Sequence, residues 1–276
     1  MTHLRIRLAR ALIVSALGAG LAAPLGAATE EALRAAVASP ARKQADRARD
    51  SQRHPVETLL FFGLEPGMHV LELWPGRGWY TEILGPVLKE RGRLRVTNGD
   101  PNGANEQYAR MAREYEEWLA ANEARLGKMS VVRVAPPEQL SLGALGSYDL
   151  ILTFRNNHSW LNGGYHDAIY REAFRALKPG GVLGVVQHRA PAGADVAASA
   201  KQGYVPEAAV IAAAEAAGFT LGARSEVNAN PHDTKDYPKG VWTLPPNFAE
   251  GDKDRERYAA IGESDRMTLR FVKPKK

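Results

Sequence analysis

From His69 onward, short apolar runs alternate with stretches of helical period, and this alternation restricts the fold more than any other feature. HVLELW (69–74), RLRVT (93–97), MSVVRV (129–134), YDLILTF (148–154), VLGVVQH (182–188), FTLGARSEV (219–227) and DRMTLRFV (265–272) read as strands. WYTEILGPVLKE (79–90), NEQYARMAREYEEWLAANEARL (105–126), GYHDAIYREAFRAL (164–177, closed by KPGG) and PEAAVIAAAEAAG (206–218) read as helices. Strands alternating with helices over this length predict a doubly wound parallel sheet covered on both faces. The last two strands lack a helical crossover, so they are expected to form an antiparallel edge around an insert from Asn228 to Glu263. Ahead of the sheet, residues 29–50 read as an alanine-rich helical lead-in. PVETLLFF (55–62) reads as a helix ending at Gly63.

The first 28 residues belong to another class. Arg5, Arg7 and Arg10 precede the apolar, small-residue run ALIVSALGAGLAAPLGAA, and Gly26 and Ala28 stand where a cleavage site places small residues. This is the pattern of a secretory signal peptide. It implies a periplasmic or secreted protein with no stable membrane span after cleavage, and a single domain over 29–276. The leader also carries much of the charge. The whole chain has 36 Lys+Arg against 31 Asp+Glu, a net +5, and three of those arginines leave with the leader. The nearly balanced remainder, without a basic patch interleaved with aromatics, gives no expectation of nucleic-acid binding. Cysteine is absent, which excludes disulfides, thiolate catalysis and cysteine–zinc sites. The seven histidines show no metal-ligand spacing, although His158, His166 and Asp167 could converge; no metal is expected.

The chemistry concentrates at the first strand–turn–helix unit. Glu72 lies in the strand, Gly76 and Gly78 make the turn after it, and a helix follows. Glycine permits positive φ and close approach of a ligand to the backbone, and the helix start offers free N–H groups. Asp100, just past the second strand, is placed to accept hydrogen bonds from ribose hydroxyls. At the ends of later strands stand Arg155, Asn156, His158 and Trp160, then Gln187, His188 and Arg189. His158 is either a base or substrate contact or a loop histidine holding the backbone. Asn156 and Trp160 are placed to orient and stack an acceptor, and His188 is a second candidate. Arg189 either binds an anionic acceptor or pairs with Asp149 or Glu72.

VLELWPGRGWYTEIL resembles motif I of class I S-adenosylmethionine-dependent methyltransferases. Together with FRNNHSW, LKPGGVLGVVQHRAP, NANPHDTKDYPKGVWTLPP and GESDRMTLRF, it is similar to a family of exported predicted methyltransferases. The resemblance implies a Rossmann-like seven-stranded sheet whose last strand is antiparallel, and S-adenosylmethionine as cofactor. It implies Glu72 near the methionine amine, Gly76 and Gly78 lining the cofactor, Asp100 on the ribose and Glu138 near the adenine. The acceptor is then a small molecule or envelope component. A non-catalytic nucleoside-binding protein on the same fold is the alternative, and a dehydrogenase fits less well because a third glycine is missing in register. Trp74 departs from the motif, which usually has glycine there. It either narrows the cofactor cleft or tucks beneath the turn as core. DTKDYPKGVWTLPP is either a lid or a loop packed on the sheet edge by Trp242.

Export carries a direct test. N-terminal sequencing of the protein from the periplasmic fraction is expected to begin at Thr29 or a near neighbour. An intact Met1 in a soluble cytoplasmic pool would overturn the leader.

Overall fold

The computed structural model describes residues 25–275, so most of the leader lies outside the described residues. The helices are α1 (Leu25–Ala38), α2 (Gln44–Arg47), α3 (Asp50–Arg53), α4 (Pro55–Phe61), α5 (Thr81–Leu88), α6 (Glu106–Ala121), α7 (Glu123–Leu126), α8 (Asn157–Asn162), α9 (His166–Ala176), α10 (Val196–Lys201), α11 (Glu207–Ala216) and α12 (Arg255–Ile261). The strands are β1 (His69–Leu73), β2 (Arg93–Asn98), β3 (Ser130–Arg133), β4 (Tyr148–Phe154), β5 (Leu177–His188), β6 (Thr220–Ser225) and β7 (Arg266–Val272). They form one sheet in the order β3-β2-β1-β4-β5-β7-β6. Strands β1 to β5 pair in parallel, and β7 runs antiparallel between β5 and β6. This is the seven-stranded class I methyltransferase fold.

Side chains of the strands alternate between two apolar layers, as the period of two requires. Val70, Leu150, Leu152 and Val182 join Leu33, Leu59, Ile83 and Leu84 on the face covered by α1, α4 and α5. Leu71, Ile151 and Leu183 join Trp160, Ile169, Val210 and Leu269 on the face covered by α8, α9 and α11. Both faces are therefore dry, which is why the strands read as continuous apolar runs.

The lead-in is three helices, because Pro40 cannot continue α1 and the chain turns there. The long charged helix divides at Asn122 into α6 and α7. KPGG does not merely close α9: β5 begins at Leu177 and runs through it, with a register shift opposite Tyr148 and Leu150. Gly180, at φ +81, supplies the backbone conformation this irregularity needs, and its N–H donates to the carbonyl of Lys273. No helix among the described residues is long and apolar enough to cross a membrane.

The two ends of the domain are joined by one carboxylate. Glu263, beside β7, accepts from Arg49 Nε at 2.7 Å, Arg53 Nε at 2.9 Å and Arg266 Nη1 at 3.0 Å. Its backbone N–H donates to Gln52 Oε1, and Arg266 Nη2 donates to the Gln52 carbonyl. Side chains of Arg53, Arg266 and Glu263 are nearly fully buried. The arginines hold the Glu263 carboxyl down at about 2 against the opposing effect of burial. Removing one partner of a buried ion pair leaves uncompensated charge, with a typical penalty of about 3–5 kcal/mol. Urea denaturation of Glu263→Gln is expected to show a loss of that order, about 3 kcal/mol or more. Arg34→Gln, which breaks only the exposed pair with Glu30, is expected to change stability by less than about 1 kcal/mol. Equal small effects in both variants would refute the clamp.

Candidate functional site

In a doubly wound sheet the carboxyl ends of the strands present the loops, and a crevice forms where strand order reverses. Here that point lies between β1 and β4, which pair in parallel from Val70 to Leu73. The turn after β1 opens with Trp74 at φ +44, in the left-handed region that disfavours a bulky side chain. The conformation that glycine usually supplies is thus retained without glycine. It is held by Trp74 N–H donating to Thr97 Oγ1 at 2.7 Å. The indole leaves the turn and packs on Trp160, with ring centroids 5.3 Å apart. Trp74 is therefore a partly buried extension of the α8–α9 core layer.

The two glycines of the turn have different surroundings. Gly76, at φ +62, is exposed, and a Cβ there would meet nothing within 4 Å. Gly78, at φ +82, is buried; a Cβ would come within 2.7 Å of the Trp118 ring and 3.3 Å of Tyr115. Gly76 leaves backbone open to a ligand, whereas Gly78 lets α6 close onto the start of α5. The space beside the Gly78 α-carbon is taken by Trp118, so packing by itself requires glycine there.

Glu72 sits in the middle of the sheet, in register with Val96 on one side and Leu152 on the other. It is 1 % exposed. Thr81 Oγ1 donates to its Oε2 at 2.7 Å and lies 3.0 Å from the Tyr115 hydroxyl. Burial raises its pKa to about 7, partly opposed by the Thr81 hydrogen bond. Glu72 braces the turn from beneath. Asp100, by contrast, is exposed at the end of β2, and its Oδ1 accepts from Asn102 N–H at 2.8 Å. Glu138 is exposed at the tip of a turn between Ala135 and Gln139, whose backbones bond to each other. It has no hydrogen-bond or ion-pair partner among the described residues. These groups come from the ends of β1, β2 and β3, at the same edge of the sheet.

At β4 and β5 the side chains are more committed than the sequence suggests. Asn156 donates its amide to the Leu73 carbonyl at 2.9 Å and to Thr153 Oγ1 at 3.1 Å. Its amide N–H groups latch the end of β4 to the turn after β1. His166 bonds Asn157 Oδ1 at 3.0 Å, as does the Tyr170 hydroxyl at 2.7 Å, so His166 serves the α8–α9 packing and does not meet His158. Arg189 pairs with Asp265 and Glu226, at 2.9 and 2.6 Å, and with Glu207. Asp149 is taken by Lys178. The expected Asp149 or Glu72 partners of Arg189 are therefore replaced by Glu226 just after β6, Asp265 just before β7 and Glu207 of α11, and Arg189 is not free of partners.

His158 is 9 % exposed, and its tautomer follows from its neighbour. Gln187 Oε1 accepts the backbone N–H of Asn157 at 3.1 Å, and Gln187 Nε2 donates to the Gly203 carbonyl at 3.1 Å. These two backbone partners fix the amide orientation, so Nε2 also donates to His158 Nδ1, at 3.3 Å. A neutral imidazole accepting at Nδ1 carries its proton on Nε2. Burial lowers the His158 pKa to about 4, and the charge of Arg155 adds to the effect; a Gln187 N–H donated to Nδ1 likewise favours the neutral ring. His158 is thus a neutral hydrogen-bond donor at physiological pH. Gln187, which sets this, was named in the sequence only as a neighbour of His188.

His188 lies beside it, ring centroids 5.9 Å apart, with Nδ1 bonded to Ser264 Oγ. Trp242, in a 3-10 turn over Gly240–Thr243, sets its edge on His158 at 5.8 Å. The insert is anchored by buried Asp233, which accepts from the Tyr204 hydroxyl and from Asp265 N–H. It packs through Trp242 and Val241 on Ala190 and Tyr204 just past the carboxyl end of β5, as the edge-loop reading has it. A separate open cavity of about 320 Å³, lined by His69, Arg93, Arg95 and Tyr148 among others, lies at the opposite, amino end of the strands.

Side-chain NMR of histidine-labelled protein checks the tautomer. A neutral Nε2–H ring for His158 is expected at pH 7, titrating near 4. An Nδ1–H ring, or a midpoint near the ordinary value of about 6.5, would overturn it.

Comparison with known proteins agrees with this architecture. A family model described as a methyltransferase domain matches residues 71–185. Among solved structures, an S-adenosylmethionine-dependent methyltransferase from Aquifex aeolicus shares 18 % identity, with 83 % of this chain and 94 % of that one covered at a TM-score of 0.53. The cyclase SpnF shares 18 % identity over 82 % of each chain, TM-score 0.50. The methyltransferase CalH, in complex with SAH, shares 14 % identity over 82 % of this chain and 58 % of its own, TM-score 0.50. No curated protein matches the chain in sequence at a significant level. The chain carries a methyltransferase domain in β1 to β5, set in a sheet of class I methyltransferase topology.

Proposed function

We propose that the protein transfers a methyl group from S-adenosylmethionine to a small-molecule or envelope acceptor, outside the cytoplasm. The observation that carries this is the turn after β1. Residue 74 keeps the left-handed backbone without glycine, and Gly76 beside it leaves open space at the switch point of the sheet. Export rests on the leader sequence alone.

The residues present fit the cofactor. Open backbone at Gly76 suits close approach, and Asp100 stands exposed one strand away. The Asn102 N–H fixes the rotation of the Asp100 carboxylate and leaves Oδ2 for ribose hydroxyls. Glu72 acts through Thr81 to hold α5 against the turn. When bound, the cofactor supplies a methyl group on a sulfonium, already activated for in-line displacement. The chain then has to align an acceptor and keep water out. Trp242 and the insert cover the β5 side, and His158 keeps an Nε2–H to donate to the acceptor. Alignment with a fixed donor, and not proton abstraction by His158, is the chemistry this geometry supports.

Calorimetry tests the reading. Folded wild-type protein is expected to bind S-adenosylmethionine, and Asp100→Ala to weaken binding by about 1–3 kcal/mol, the scale for stranding a polar partner. No binding by the wild type would end the proposal; unchanged affinity in the variant would remove Asp100 from the site.

A further inference from the structure

Next to the two histidines lies a concentration of positive charge that the protein does not neutralise itself. Arg49, Arg53 and Arg266 all bond the same Glu263 carboxylate. Arg155 follows β4 at φ +67 and has no side-chain hydrogen bond or ion pair with any described residue; Glu263 is the one carboxylate whose field opposes those of the neighbouring arginines on it. Arg53 is 1 % exposed, yet its Nη1 and Nη2 lack hydrogen-bond partners, as does Arg266 Nε. The Arg53 guanidinium lies over the Trp79 ring, 4.8 Å from its centroid, and is bonded to the protein only through Nε. The other nearby acids are engaged: Asp50 with Arg42, and Asp265 with Arg189 and Lys235.

These groups converge. Arg266 is the direct cross-strand partner of His188 in the β5–β7 ladder. The Arg155 N–H donates to the Val186 carbonyl, one strand from that pair. Tyr80, at the end of the β1 turn, stacks on Phe154 at 3.5 Å. The pKa of Arg155 is lowered by burial first, then by Arg53 and Arg266; His188 is lowered by burial, His158, Arg155, Arg266 and Arg53. Four guanidiniums facing one carboxylate in a sparsely solvated corner are unfavourable unless an anion joins them. Unused guanidinium N–H groups are the forked donors that fit carboxylate and phosphate oxygens.

We propose that this corner, built from Arg53, Arg155 and Arg266 beside His158 and His188, is the seat of an oxyanion, carboxylate or phosphate, carried by the methyl acceptor. The inference rests on the methyl-transfer reading and names the acceptor class: an acidic metabolite or acidic envelope component. The seat lies on the β4–β5–β7 side, away from Asp100 beyond the end of β2, and it holds more positive charge than the single carboxylate of the cofactor would balance.

The test uses the full chain with inorganic phosphate as probe, at constant ionic strength, following thermal stability and calorimetric binding with and without saturating S-adenosylhomocysteine. Phosphate is expected to raise the melting temperature of the wild type and of the surface control Arg34→Gln. In Arg155→Gln it is expected to bind at least about tenfold more weakly, the effect of losing a charged hydrogen-bond donor. Without phosphate, Arg155→Gln should melt no lower than wild type, because it removes an unpaired charge. The phosphate effect should persist with S-adenosylhomocysteine bound. A lack of phosphate binding, or equal binding by Arg155→Gln, overturns the seat. Mutual exclusion of phosphate and S-adenosylhomocysteine also overturns it, by giving the corner to the cofactor's own carboxylate. If phosphate binds but S-adenosylhomocysteine does not, the anion seat stands and the cofactor reading fails.

Discussion

Everything functional in this molecule depends on the parallel pairing of β1 with β4. Parallel neighbours need crossovers, and the crossovers on the two sides of this pair leave toward opposite edges of the sheet. The loops after β1 and β4 therefore part, and a crevice opens between them. Asn156 spans its base by bonding the Leu73 carbonyl, which holds the crevice to a defined width. Trp74, Gly76, Arg155 and His158 owe their common location to this one ladder.

Around the crevice, polar side chains divide by how they are held. On the β1–β2 side the acids are either fully sunk, as Glu72 is, or exposed, as Asp100 is. On the β4–β5 side Asn156 and Gln187 are fixed by backbone partners. Gln187 is held by Asn157 and Gly203, and through it the tautomer of His158 is imposed by main-chain atoms. Such a donor is rigid and already desolvated, which is the condition for electrostatic positioning to be effective.

Much of the sheet was legible in the sequence because strands dry on both faces leave uninterrupted apolar runs, and the missing crossover before β7 announced its antiparallel direction. Short helices such as α8, α10 and α12 span under two and a half turns, too few for an apolar period to register. The open positions of Gly76 and Asp100 at the strand ends were legible because they follow from local order: strand, turn, helix, next strand. Gly78 looked equivalent to Gly76, and only the approach of Trp118 from α6 separates them. Arg189 and Arg53 could not be assigned, since their partners are set by which strands become neighbours. Trp74 is the instructive case: a motif position can keep its backbone requirement after its characteristic residue has gone.

The Glu263 clamp has a consequence in time. Arg53 and its carboxylate partner are 210 residues apart in the chain. Whether the chain emerges from a ribosome or across a membrane, its N-terminal part comes first, and Arg53 is delivered before Glu263. Helix α3 must therefore wait, its arginines solvated, until β7 emerges and closes the sheet. The crevice beside β1 can be shaped early by β1 to β4, but its charged corner is among the last features of the molecule to exist. A chain stopped short of Glu263 would carry the turn and the open glycine and yet have no corner at all.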